Sequence, residues 1–133
     1  GTILNFARTL RLLGEFDRAE EELSKLLRKA EARPANPKLV LMAKEELVYL
    51  IAVQGDKGKG QERMFSYSAF LAAEPSPFAP MALLSESLWW SQNREPTRAQ
   101  NLKEKAIVLC KTSTLQDGCQ RWEARHQEMQ SHK

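Results

Sequence analysis

The chain has 133 residues, of which 42% are hydrophobic and 28% charged, with only 6 Gly and 6 Pro. That is enough apolar material for one packed core, and it argues against an unstructured or collagen-like chain. The 20 Lys+Arg and 17 Asp+Glu leave a formal charge of +3, with 12 basic and 10 acidic residues up to position 66 and 8 and 7 after it. Neither half is a polycation, so despite a pI near 9.0 no nucleic-acid partner is expected, because phosphate binding calls for clustered Lys and Arg. No apolar run approaches the roughly 18 residues of a membrane span, and no basic-then-apolar leader opens the sequence. Direct membrane insertion is therefore not expected.

In chain order, Ile3, Phe6, Ala7 and Leu10 recur at the spacing of one helix face and mark a first helix that ends around Leu13-Gly14. Asp17 is placed to cap the second, whose stripe is Ala19, Leu23, Leu26 and Leu27. Its acids lie early and its bases late, in the order that suits the helix dipole. Pro34, Asn36 and Pro37 interrupt the pattern. Leu39 to Val53 then reads as a helix apolar on more than one side, as between neighbours, with Gly55-Asp56 ending it. Lys57-Gly58-Lys59-Gly60 reads as a charged loop before a fourth helix through Met64, Tyr67, Ala69, Phe70 and Leu71, which closes at Glu74-Pro75-Ser76-Pro77. Phe78 to Ser91 is a fifth, starting near Pro80, and Asn93 to Pro96 turns into a sixth through Ala99, Leu102, Ala106, Ile107 and Leu109. Leu115, Cys119, Trp122, His126 and Met129 form a narrow stripe on a polar seventh. No stretch alternates as a strand does, so the fold class is all-α.

The turns at Gly14, Gly55 and Asn93 stand about forty residues apart, a period found in helical solenoids. Residues 1–33 resemble a tetratricopeptide repeat: the family's first-helix pattern stands as Ile3, Phe6-Ala7 and Leu10, and its turn and second-helix pattern as Gly14-Glu15-Phe16, Ala19, Leu23 and Leu26-Leu27. Residues 38–75 resemble a second repeat through Leu47-Val48, Ile51, Gly55-Asp56 and Glu74-Pro75, with about three extra residues in the Lys57 to Gly60 turn. Residues 78–111 resemble a degenerate third through Leu84-Ser85, Leu88, Ala99 and Ala106, and residues 114–133 serve as a capping helix. The resemblance implies a superhelix of three helix pairs plus the cap, and a groove holding Asn5, Arg8 and Arg11 from the first repeat and Glu45, Tyr49 and Ala52 from the second. Such a groove would take a peptide, with guanidinium forks on a carboxylate. The Lys/Asn set with which the family clamps a terminal carboxylate is absent.

Catalytic chemistry finds little purchase. The two histidines, His126 and His132, lie in the last eight residues, with His126 on the packed stripe. No Gly-rich phosphate loop, paired CxxC or HExxH occurs, so no cofactor or metal is expected. Glu45-Glu46 is set aside as an acid pair because adjacent helical residues point about 100° apart. Trp89 and Trp90 cannot face the same way, and an exposed one would be a binding anchor. Cys110 and Cys119 stand either side of the last turn. Bridged, they clamp the cap and imply a periplasmic or other extracytoplasmic setting; reduced, they are small core residues of a cytoplasmic protein.

These readings converge on a non-enzymatic scaffold that holds a protein or peptide partner within a larger assembly or a longer chain, self-association included. The alternatives are a ligand-binding or sensory module of a membrane-anchored regulator or transferase, or a secretion chaperone. The start at Gly1-Thr2, already inside the first helix, is read as that of an excised fragment.

Overall fold

The computed structural model describes residues 2–32, 36–55, 57–73, 78–111 and 116–131, and these are all-helical, without strands. Seven helices follow in order: α1 Thr2–Leu12, α2 Phe16–Ala32, α3 Pro37–Gln54, α4 Lys59–Ala73, α5 Phe78–Gln92, α6 Pro96–Cys110 and α7 Gln116–Ser131. From α1 to α6 each helix packs on the next, α3 also packs on α5, and α7 lies against α5 and α6.

Two apolar clusters hold this arrangement. Leu4, Ala7 and Leu10 of α1 meet Leu23, Leu26 and Leu27 of α2 and Leu47 and Leu50 of α3. Val48, Ile51 and Ala52 of α3 meet Met64 and Leu71 of α4, Met81, Leu84 and Trp89 of α5 and Trp122 and Met129 of α7. Each such large side chain contributes about 1.5–3 kcal/mol on burial. The buried stripe of α1 is thus Leu4, Ala7, Leu10 and Arg11 rather than Ile3, Phe6, Ala7 and Leu10. Phe6 is 42% exposed, with the Arg18 guanidinium 5.9 Å from its ring, because a helix turned by one residue offers the same three-four spacing.

The turns carry the clearest internal repetition. Gly14 has φ +80°, and Arg94, 80 positions on, has φ +62°. Glu15 N–H donates to Leu10 C=O at 2.9 Å and Gly14 N–H to Arg11 C=O at 3.0 Å; Glu95 N–H donates to Trp90 C=O at 2.9 Å and Arg94 N–H to Ser91 C=O at 3.1 Å. Both are Schellman closures, which satisfy the orphan carbonyls of the ending helix. In both, a buried alanine follows four residues after the glutamate, Ala19 N–H donating to Glu15 C=O and Ala99 N–H to Glu95 C=O. Gly55, at φ +69°, closes the helix between them. This turn touches the third, for Asn93 Nδ2 donates to Gly55 C=O at 3.3 Å and Gln92 Nε2 to Val53 C=O at 3.0 Å. A Cβ on Gly55 would meet Gln92 Cβ at 3.0 Å.

Three helix starts differ from expectation. Asp17 sits in the first turn of α2 rather than capping it, where its charge still faces the positive helix end. Lys59 and Gly60 belong to α4, since Gly58 takes the left-handed turn at φ +75° and Glu62 N–H already donates to its carbonyl. The fifth helix begins at Phe78, ahead of Pro80, because a proline in the first turn deletes an N–H that has no helical acceptor. Glu74 to Pro77, Leu115 and His132 lie outside the described residues.

Candidate functional site

The middle of α3 buries a run of charged and aromatic side chains. Its buried block, Ala43 to Ala52, includes Glu45 and Glu46, each 3% exposed, and Tyr49, fully buried. Positions 45, 46 and 49 lie on one side of the helix by the three-four rule, and that side meets α1 and α7. From α1, Arg8 Nε donates to Glu46 Oε1 at 2.8 Å, and the Arg11 guanidinium lies 4.9 Å from the centre of the Tyr49 ring. From α7, Arg125 donates through Nη1 to Glu45 Oε1, its Nη2 lies 3.2 Å from Glu46 Oε1, and its guanidinium is 5.4 Å from the Tyr49 ring. Tyr49 is thereby flanked by two cations, a favourable use of the negative ring face.

Aromatic contacts complete the layer. Trp122 meets Tyr49 edge-on with centroids 6.0 Å apart and stacks on His126 at 4.9 Å. Tyr49 Oη and His126 Nδ1 lie 3.2 Å apart, and Gln130 Nε2 is 3.1 Å from His126 Nε2. Trp122 Nε1–H donates to Ser85 Oγ at 3.0 Å, so the indole on α7 is also tied to α5.

The electrostatics follow from burial. Loss of water raises the Glu45 carboxyl above the usual range against the pull of Arg125, and neighbouring Glu46 adds to the rise. Burial also lowers Arg11 and pushes the Tyr49 hydroxyl up to about 12. Burial opposes the charge on Arg125 as well, but Glu45 and Glu46 more than offset it and hold that group firmly cationic.

Of the residues expected in a groove, Arg8, Arg11, Glu45 and Tyr49 do come together, with Arg11, Glu45 and Tyr49 buried rather than facing solvent and the Arg8 side chain still 41% exposed, while Asn5 stands apart and exposed. The dismissal of Glu45-Glu46 as non-convergent needs correction. Both carboxylates reach Arg125, because flexible side chains close the gap that their Cβ directions open. Arg125 itself escaped the sequence reading, masked by the polar character of α7. Its signal was position, for Trp122, Arg125, His126 and Met129 share one face.

Trp89 is 3% exposed and meets Phe65 edge-on at 5.4 Å. Trp90 is half-buried, with the Arg98 guanidinium 4.6 Å from its ring. Cys110 and Cys119 stand at disulfide distance, Cα atoms 5.9 Å apart, joining the end of α6 to the first turns of α7.

Two clefts flank α7. One, of about 260 Å³, is lined by Arg8, Arg11, Arg121, Ala124, Arg125 and Glu128. The other, of about 390 Å³, lies between α5, α6 and α7, with Trp122, His126, Glu123 and Lys103 in its wall. Among the described residues no cluster of His, Cys, Asp and Glu could hold a metal ion, and no helix is long and apolar enough to cross a membrane. No family model, curated protein or solved structure matches the chain.

Proposed function

We propose that this chain is a non-enzymatic scaffold, a tetratricopeptide-like array of three helix pairs and a closing helix that presents a groove to a protein or peptide partner. One observation carries the repeat reading: the same Schellman turn, glutamate and buried alanine recur 80 residues apart at Gly14-Glu15-Ala19 and Arg94-Glu95-Ala99. Two forty-residue periods fit that interval, with Gly55 marking the middle one. The reading of the groove is supported by what α3 already accepts, since the face bearing Glu45, Glu46 and Tyr49 receives a helix through a guanidinium and two aromatic rings. In this proposal the chain's own α7 fills that part of the groove, and a partner docks beside it, along α1 at exposed Asn5 and Phe6. A Cys110-Cys119 bridge fits an extracytoplasmic assembly.

The reading is tested by site-specific photo-crosslinking in the source cells, with the reactive side chain at Asn5 and a control at Arg28 on the exposed side of α2. A discrete covalent adduct from position 5 that is missing from position 28 is expected. The same adducts from both, or none from position 5, would remove the groove from consideration.

A further inference from the structure

We propose that the cleft between α1 and α7 is a binding site for a small oxyanion, the carboxylate of a low-molecular-weight organic acid. Its wall holds Arg8, Arg11, Arg121 and Arg125 with Glu128 as the only acid, around about 260 Å³. Three of the guanidiniums have company: Arg8 is bonded to Glu46, Arg125 to Glu45 and Glu46, and Arg121 lies 6.0 Å from the Phe78 ring. Arg11 is different. It is only 4% exposed, and its Nε and Nη1 have no hydrogen-bond partner.

A buried donor without a partner costs about 1–3 kcal/mol, and more when charged. The face of Tyr49 offers Arg11 an aromatic contact but no acceptor in its plane. Glu46 and Glu45 already act on the Arg11 charge, and an oxyanion in the cleft would supply, after a small turn of the guanidinium, the missing acceptor. Shape selects its kind: a carboxylate presents two oxygens in one plane, the arrangement that a guanidinium fork accepts. This site needs only that α1 and α7 lie side by side, and it stands whether or not the chain also binds a protein.

The test is thermal unfolding and titration calorimetry of the full oxidised chain with sodium acetate, sodium phosphate and, as reference, sodium chloride at matched ionic strength. Acetate is expected to raise Tm saturably above chloride and above phosphate. Arg11→Met, which keeps an apolar stem and removes the buried charge, is expected to weaken acetate binding by about tenfold or more, the loss of one charge-assisted contact. Arg18→Met, at an exposed guanidinium on α2, should leave it unchanged. Should Arg11→Met fail to fold, Arg121→Gln decides in its place, with several-fold weaker acetate binding expected. No saturable acetate response in the parent chain, or an unchanged response in the folded variants, overturns the site; a phosphate response exceeding that of acetate overturns the assignment to a carboxylate.

Discussion

The two sides of α3 are buried alike and built of opposite materials. Toward α2, α4, α5 and the apolar face of α1 the helix offers Leu47, Val48, Leu50 and Ile51, none more than 1% exposed. Toward α1 and α7 it offers Glu45, Glu46 and Tyr49, no more exposed than 3%. The apolar side gains free energy simply by leaving water and tolerates many shapes of neighbour. The charged side breaks even only if each carboxylate finds its guanidinium, because desolvation cancels much of the Coulomb attraction. The first side therefore supplies stability, and the second decides which helix may lie there and in what register.

Unequal responses to substitution would follow. Arg125→Met strands Glu45 in a dry site and is expected to cost about 3–5 kcal/mol in urea unfolding. The double change Glu45→Leu with Arg125→Met should recover most of that loss, though Glu46 keeps only Arg8. A double variant as unstable as Arg125→Met alone would erase the contrast between the two sides. On the apolar side Leu47→Ala should cost about 2–5 kcal/mol, with no partner change able to restore it short of filling the cavity.

Replacing Cys110 and Cys119 by Ala should cost about 2–3 kcal/mol if they are bridged, the value for a loop this short. Equal stability of the variant and the non-reduced parent would mean that α7 is held by its side chains alone.

Tyr49 gives the charged side a pH signature. Its hydroxyl is raised to about 12, so between its unfolded value near about 10 and that point the unfolded chain has released a proton that the folded chain keeps. Stability is fully present below this window and falls as pH rises through it, by on the order of 2 kcal/mol. Tyr49→Phe lacks this decline. It should be less stable than the parent near neutral pH, by about 1 kcal/mol for the lost contact with His126, and should overtake it as pH approaches 12. Parallel stability curves across the window would show Tyr49 to be in contact with water. At the small end, Lys25→Ala on exposed α2 loses contacts with Glu21 and Glu22 and should change stability by less than about 0.5 kcal/mol.

The helices were legible in the sequence because their signals are local: three-four apolar spacing, glycine in left-handed turns, and proline near helix starts. Pro96 stands in the first turn of α6 as its position implied. The third turn was legible only as Asn93 to Pro96, since its left-handed residue is Arg94, which composition gives no reason to single out. The charged site was half legible. The repeat pattern put Arg8, Arg11, Glu45 and Tyr49 on facing helices, but which helix covers them is a long-range fact, settled by Arg125 and Trp122 some 80 residues downstream of Glu45. Periodicity shows that a helix has a buried stripe and says nothing about where the stripe is buried. On α7 the stripe was read as that of an end cap, and its Trp122 and Arg125 reach back to α3.

Helix α7 lies across the charged side of α3, and nuclear Overhauser contacts in the full oxidised chain test this most directly. Cross-peaks from the Tyr49 ring protons to the Trp122 indole and the His126 imidazole are expected, since both rings meet Tyr49 edge-on with centroids 6.0 and 6.3 Å away. A Tyr49 ring with contacts to Leu50 and Ile51 of its own helix but none to Trp122 or His126 would place α7 elsewhere and contradict the site, the cleft and the proposed groove together.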